Sequence, residues 1–241
     1  MTERTKYIVG NWKMNQNTED VIAFFDAIDS AKLRHEAWIA PQAIHIPICL
    51  QNTDDFKIGA QNCATENSGA FTGEISPASL KDIGAHFVII GHSERRSIYN
   101  EDDATLNAKA KIALANDLTV IFCIGETLEQ REAGKVEEVL AEQLSKGLAD
   151  IDSENVIIAY EPVWAIGTGV TATPEQAQET HAYIRQYIND NLSIDGNKTS
   201  ILYGGSVKPS NVEDLLSCKD IDGGLVGGAA LQADSYMGLH A

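Results

Sequence analysis

The sequence predicts an α/β fold in which parallel strands alternate with helices, and two observations carry that expectation. Apolar or β-rich runs near residues 5–11, 37–41, 57–62, 86–91, 118–124, 156–161, 200–204 and 222–227 recur eight times and have the length of buried strands. Between most of them lie stretches of helical periodicity, such as Val21, Phe24, Phe25 and Ile28, or Val136, Val139, Leu140 and Leu144. Strand followed by helix, repeated, places the strands parallel, because each crossover returns the chain to the same edge direction. Eight such units in 241 residues favour a closed (β/α)8 barrel over an open doubly wound sheet, although spacing by itself is compatible with both.

The first run leads into NWKMN at 11–15, after which Thr18 stands before Glu19 and Asp20 as a helix start. The second and third runs are followed by the polar stretch TENSGAFTGE at 65–74, and a helix then opens at Ser76 with Pro77 in its first turn. The fourth run ends in GHSERR at 91–96 and the fifth in CIGE at 123–126. The sixth ends at Glu161, followed by PVWAIGTG, and Thr173, Pro174 and Glu175 open the next helix. The seventh and eighth end in the glycine pairs Gly204–Gly205 and Gly227–Gly228. No Pro/Gly/Ser-rich linker, charge block or internal repeat divides the chain, so one domain over residues 1–241 is expected.

Composition narrows the function classes. The formal charge of −17 disfavours nucleic acid and anionic membrane, which require clustered Lys and Arg. No apolar run approaches the roughly 18 residues needed to span a bilayer, and the start MTERTKYIVG reads as a first strand, which points to a cytoplasmic protein. Cys49, Cys63, Cys123 and Cys218 lie in separate segments without CxxC spacing and are expected as reduced thiols. His35, His45, His86, His181 and His240 show no metal-ligand spacing, so neither metal nor cofactor is expected. An anionic substrate would have to be drawn in by a local positive site against the global field.

In a closed βα barrel, side chains at the C-terminal strand ends converge on one mouth. That brings together Asn11 and Lys13, His92 and Glu94, and Glu161. Taken singly, each has a bland reading: Glu161 as a strand-end carboxylate, His92 as a helix cap, Lys13 as a solvated surface lysine, and either glycine pair as a tight turn. Together they supply a base, an electrophile and a cation, which is what moving a carbon-bound proton next to a carbonyl requires.

NWKMN, IIGHSERR at 89–96, CIGE, AYEPVWAIGTG at 159–169, YGGSV at 203–207 and LVGGA at 225–229, in that order, resemble the triosephosphate isomerases over about Tyr7 to Leu231. The resemblance implies a closed TIM barrel and a cofactor-independent aldose–ketose isomerase that interconverts dihydroxyacetone phosphate and D-glyceraldehyde 3-phosphate through an enediolate. Glu161 would be the base, His92 the electrophile, Lys13 the local cation, Asn11 a donor near the reacting oxygens, and Glu94 an acid beside Lys13 and His92. The family is itself the standard example of a histidine kept neutral by a helix N-terminus, so a depressed pKa for His92 is taken over from the resemblance. Asn11, Lys13, Gly167, Ser206, Gly227 and Gly228 would bind substrate or its phosphate through glycine-rich turns that expose N–H groups.

Residues 162–172 would close as a lid that keeps the enediolate from expelling phosphate, with Tyr203 steadying the closed form. Loop 65–74 is similar to the family's intersubunit loop, so a homodimer is implied, with Thr72 reaching toward the partner subunit's Asn11 and Lys13. Cys123 is similar to a residue that packs near the site. The chain departs from the family pattern in a shorter second βα unit, in Gln232 where many relatives carry lysine, and in the ending QADSYMGLHA. Two other readings exist. A Schiff-base aldolase would need a lysine where Glu161 stands and a metal-dependent epimerase would need His/Asp ligands; a catalytically dead binding barrel would have no need of a base facing an electrophile.

Overall fold

The computed structural model describes residues 4–166 and 172–240. Eight parallel strands close into a barrel in sequence order: β1 (Tyr7–Asn11), β2 (Glu36–Ala40), β3 (Lys57–Ala60), β4 (Phe87–Ile90), β5 (Thr119–Ile124), β6 (Val156–Tyr160), β7 (Ile201–Tyr203) and β8 (Gly223–Val226). Closure is made by β1, which pairs β2 on one side (Val9 opposite Trp38) and β8 on the other (Val9 opposite Leu225). The expected runs and the observed strands agree to within one or two residues at each end.

The helices of the outer layer are α1 (Thr18–Asp26), α2 (Ile46–Gln51), α3 (Pro77–Asp82), α4 (Ser93–Ile98), α5 (Asp103–Ala115), α6 (Leu128–Glu132), α7 (Val136–Gly147), α8 (Pro174–Asn191), α9 (Val212–Leu216) and α10 (Ala233–Gly238). Their starts follow the capping chemistry of the sequence. Ser76 caps α3 ahead of Pro77, and Thr173 caps α8 in a box closed by Gln176. One start is corrected by a residue: Asn17, not Thr18, caps α1, because its side chain accepts from both Glu19 and Asp20 N–H while Asp20 reaches back to its own N–H.

Alternation along the strands sorts the core into two layers. Val9, Trp38, Ala40, Phe87, Ile89, Ile121, Cys123, Ile157, Ala159, Leu202 and Leu225 fill the barrel interior, and the residues between them, such as Ile8, Ile39, Val88, Phe122 and Ile158, pack outward against the helices. Two large aromatics share the interior, with the Trp38 and Phe87 centroids 4.7 Å apart. Gly59 makes that possible, since a Cβ there would stand 2.4 Å from Phe87 Cδ1.

The unusual ending packs firmly. Tyr236 of α10 is fully buried among Phe24 and Phe56, and its hydroxyl donates to Ile8 O at 2.8 Å. All four cysteines are free thiols. Among the described residues no helix is long and apolar enough to cross a membrane.

Candidate active site

At the rim of β1, Asn11 is buried and its Oδ1 accepts the Lys13 N–H at 3.1 Å, which bends the chain so sharply that Lys13 takes a left-handed φ of 53°. A non-glycine residue in that region costs on the order of 1 kcal/mol and persists only where its surroundings hold it. The holder is Gln61, just beyond β3, whose amide donates to Lys13 O at 2.8 Å and to Ala40 O at 2.9 Å. Lys13 is thereby aimed at Glu94, with Nζ 2.5 Å from Oε1.

At the end of β4 the chain turns through Gly91 at φ 79°, and His92 becomes the N-cap of α4. Its Nδ1 accepts the Glu94 N–H at 3.2 Å, so the neutral ring carries its proton on Nε2, the nitrogen that faces the barrel mouth. His92 is therefore both a cap and a donor, and the two readings of it coexist. Nε2 lies 3.0 Å from Glu161 Oε1.

Glu161 is 2% exposed at the end of β6, with its N–H bonded to Ile124 O at 2.7 Å. Its carboxylate accepts from Ser93 N–H at 3.0 Å and lies 3.4 Å from Ser93 Oγ. Burial pushes its pKa up, but the His92 ring, the Ser93 N–H and the Lys13 charge outweigh burial and hold it below the usual carboxylate value. For His92 the direction in this geometry is upward. Burial lowers its pKa, yet the Glu161 carboxylate in contact with Nε2, helped by Glu94, holds it above the ordinary histidine value.

Asn11, Lys13, His92 and Glu161 line a cavity of about 280 Å³ together with Gly204, Gly205, Ser206, Val207, Lys208 and Gly227–Ala229. Among the described residues nothing lies within 4 Å of a Cβ built on Gly228, so their packing does not demand glycine there. The backbone is bare toward the cavity, which suits close approach of an anion to N–H groups.

With that geometry in place, likeness to known proteins becomes informative. The family profile described as triosephosphate isomerase matches residues 6–241. The triosephosphate isomerase of Ligilactobacillus salivarius (strain UCC118) is 49% identical over 245 residues, covering 98% of each chain. Those of Phocaeicola vulgatus and Chloroherpeton thalassium are each 48% identical, over 98% and 97% of both chains respectively. The chain belongs to the triosephosphate isomerase family.

Within this triosephosphate isomerase fold, Asn11, Lys13, His92, Glu94 and Glu161 meet at one mouth, and Ser206, Gly227 and Gly228 line the same cavity as Lys13, His92 and Glu161. Gly167 lies outside the described residues, as does most of the glycine-rich part of the lid segment. At the start of that segment the buried Glu126 carboxylate accepts from Trp164 Nε1 at 2.8 Å, Tyr160 Oη at 3.1 Å and Arg131 at 3.0 Å. Tyr203 is buried at the end of β7, its hydroxyl lying where a Cβ on Gly205 would be, 2.4 Å away. Cys123 points into the barrel beside Glu161, and burial pushes its thiol pKa well above the ordinary value. Among the described residues no group of three or more His, Cys, Asp or Glu is arranged to hold a metal.

Sequence reasoning missed Gln61, Ser93 and Lys208. Ser93 sits inside the quoted IIGHSERR motif, so position after a barrel strand was a signal for it. Gln61 acts through carbonyls of other strands, and only the fold brings these together.

Proposed function

We propose that Glu161 and His92 carry out the interconversion of dihydroxyacetone phosphate and D-glyceraldehyde 3-phosphate, a step of glycolysis and gluconeogenesis, by proton transfer through an enediolate. Glu161 removes the proton from the carbon next to the carbonyl and returns it to the neighbouring carbon. His92 Nε2–H and the Asn11 amide, whose Oδ1 is already taken by Lys13 N–H, donate to the oxygen on which charge develops, and Lys13 adds a positive field. Gly167, Ser206, Gly227 and Gly228 hold the phosphate. Because Glu161 touches the His92 ring at 3.0 Å, no carbon fits between them; the carboxylate must leave Ser93 and the ring to meet the substrate.

The observation that carries this reading is a buried carboxylate and an imidazole donor in one triose-sized cavity with bare glycine backbone. A coupled assay of glyceraldehyde 3-phosphate with added chelator tests it. Turnover that survives the chelator is expected; no turnover, or loss to the chelator, refutes it.

The domain reading is a single (β/α)8 unit over residues 1–241, and the location a cytoplasmic one. We read the working form as a homodimer through loop 65–74. Supporting this, Phe71 stands exposed at that loop, and a groove of about 500 Å³ that adjoins the site cavity at Asn11, Lys13 and His92 runs past Met14, Gln61, Glu94, Arg95 and Tyr99. Met14 and Tyr99 leave 87% and 62% of their surface uncovered there, apolar surface that a partner subunit would cover.

A further inference from the structure

Strand β5 lends no side chain to the proposed chemistry, yet its end lies between the two groups that carry it. On one side, Arg96 donates from Nε to Gly91 O at 2.9 Å and from Nη2 to Cys123 O at 3.1 Å, with Asp103 holding the guanidinium at 2.6 Å. That ties the end of β5 to the residue preceding His92.

On the other side, the main chain of Glu161 lies directly on Gly125. A Cβ built on Gly125 would fall 1.8 Å from Glu161 O, 2.7 Å from its carbonyl carbon and 3.3 Å from its Cα. Only a bare Cα admits that contact. Gly125 stands one residue past the strand, where the ladder between Ile124 and Tyr160 has ended. Both of its backbone groups are taken by one side chain: Gln143 Oε1 accepts the Gly125 N–H at 2.8 Å, and Gln143 Nε2 donates to Gly125 O at 3.1 Å.

Gln143 belongs to α7, and that helix is fixed against the barrel. Leu140 and Leu144 are fully buried, and Gly147 leaves room for the Phe122 ring, which a Cβ there would meet at 2.3 Å. A residue on the outer layer thus sets the height of the platform under Glu161. Gly125 also leads into Glu126, whose carbonyl accepts the Val163 N–H at 3.1 Å at the root of the lid segment.

We propose that Gln143 is a positioning residue for the reaction: by pinning both backbone groups of Gly125, it fixes where the Glu161 main chain rests relative to His92. The proposal rests on reading Glu161 as the base. Gln143→Glu keeps an acceptor for the Gly125 N–H and turns a carboxylate oxygen against Gly125 O; Gln143→Met removes both bonds at similar length. In either, kcat is expected to fall about 10- to 100-fold, the scale on which a displacement near 1 Å acts. The inhibition constant of inorganic phosphate should stay within about twofold, since the glycine wall on β7 and β8 is untouched. Combined with Glu161→Asp, the losses should fall well short of multiplying, because a carboxylate already withdrawn has less position to lose.

A residue that merely stabilises α7 would lower the melting temperature and leave kcat of the folded variant and its coupling to Glu161 unchanged. Folded variants with kcat within about twofold of the parent, or losses that multiply with Glu161→Asp, overturn the proposal. Gln143→Glu decides the matter alone if the methionine variant does not fold. A parent protein without isomerase activity would instead refute the reading of Glu161, so the two failures are distinguishable.

Discussion

Replacing Glu161 by Asp isolates the length of the base from its chemistry. The carboxylate retracts by one C–C bond, about 1.5 Å, while charge and strand position are kept. Its contacts with His92 Nε2 and Ser93 N–H are both 3.0 Å, so a retraction of that size takes it out of hydrogen-bond reach of both unless the rim shifts. If each ångström of misplacement costs about 10²-fold, the loss in kcat is about 10²- to 10³-fold, or about 3–4 kcal/mol of barrier at 1.36 kcal/mol per tenfold. The measurement is steady-state turnover of glyceraldehyde 3-phosphate, with inorganic phosphate as competitive inhibitor. Phosphate should bind within about twofold of the parent, because its cradle is the backbone after β7 and β8 and not the Glu161 carboxylate. Unchanged turnover, or turnover and phosphate affinity lost together, refutes the assignment of Glu161.

Acid should loosen the end of the chain. His240 Nδ1 accepts the His35 N–H at 3.2 Å, and burial, with His35 adding to it, lowers its pKa from 6.5 to about 4. The stability this pair contributes is therefore complete above pH 6.5 and lost as pH falls toward 4, and His240→Asn should flatten part of that slope in melting temperature. Arg185, buried on α8, donates to Asp220 and Asp222 at 2.7 Å each and to the carbonyls of Gly196 and Thr199. Arg185→Met leaves Asp220 with its bond from Gln178 and Asp222 with those from Arg4 and the Ile201 N–H, and should cost about 3 kcal/mol, the low end for a broken buried pair, a drop of roughly 6–12 °C by scanning calorimetry; a change near zero would contradict that reading. Sedimentation at working concentration should show a dimer, and an active monomer would exclude the role given to loop 65–74.

What the sequence made legible follows from how local each signal is. Strand runs, proline-marked helix starts and the glycine pairs depend on neighbouring residues, and they survive into the structure with small shifts at the ends, such as the cap of α1 moving to Asn17. His92, Glu94 and Glu161 were readable because barrel topology sends every strand end to the same rim. Gln61 and Gln143 were not, because what they do is bond to carbonyl and N–H groups of distant segments. The contact between His92 and Glu161, which holds the His92 pKa up while the two touch, likewise joins segments distant in the chain.

The central claim is that a carbon-bound proton passes through Glu161 on one face of an enediolate. It is tested most directly by running the isomerisation in D2O and locating deuterium in the product by NMR. The expected result is deuterium on the carbon that receives the proton, with exchange collapsing alongside turnover in Glu161→Gln. A Glu161→Gln variant that turns over at the parent rate, its product carrying no solvent deuterium at carbon, would contradict the account.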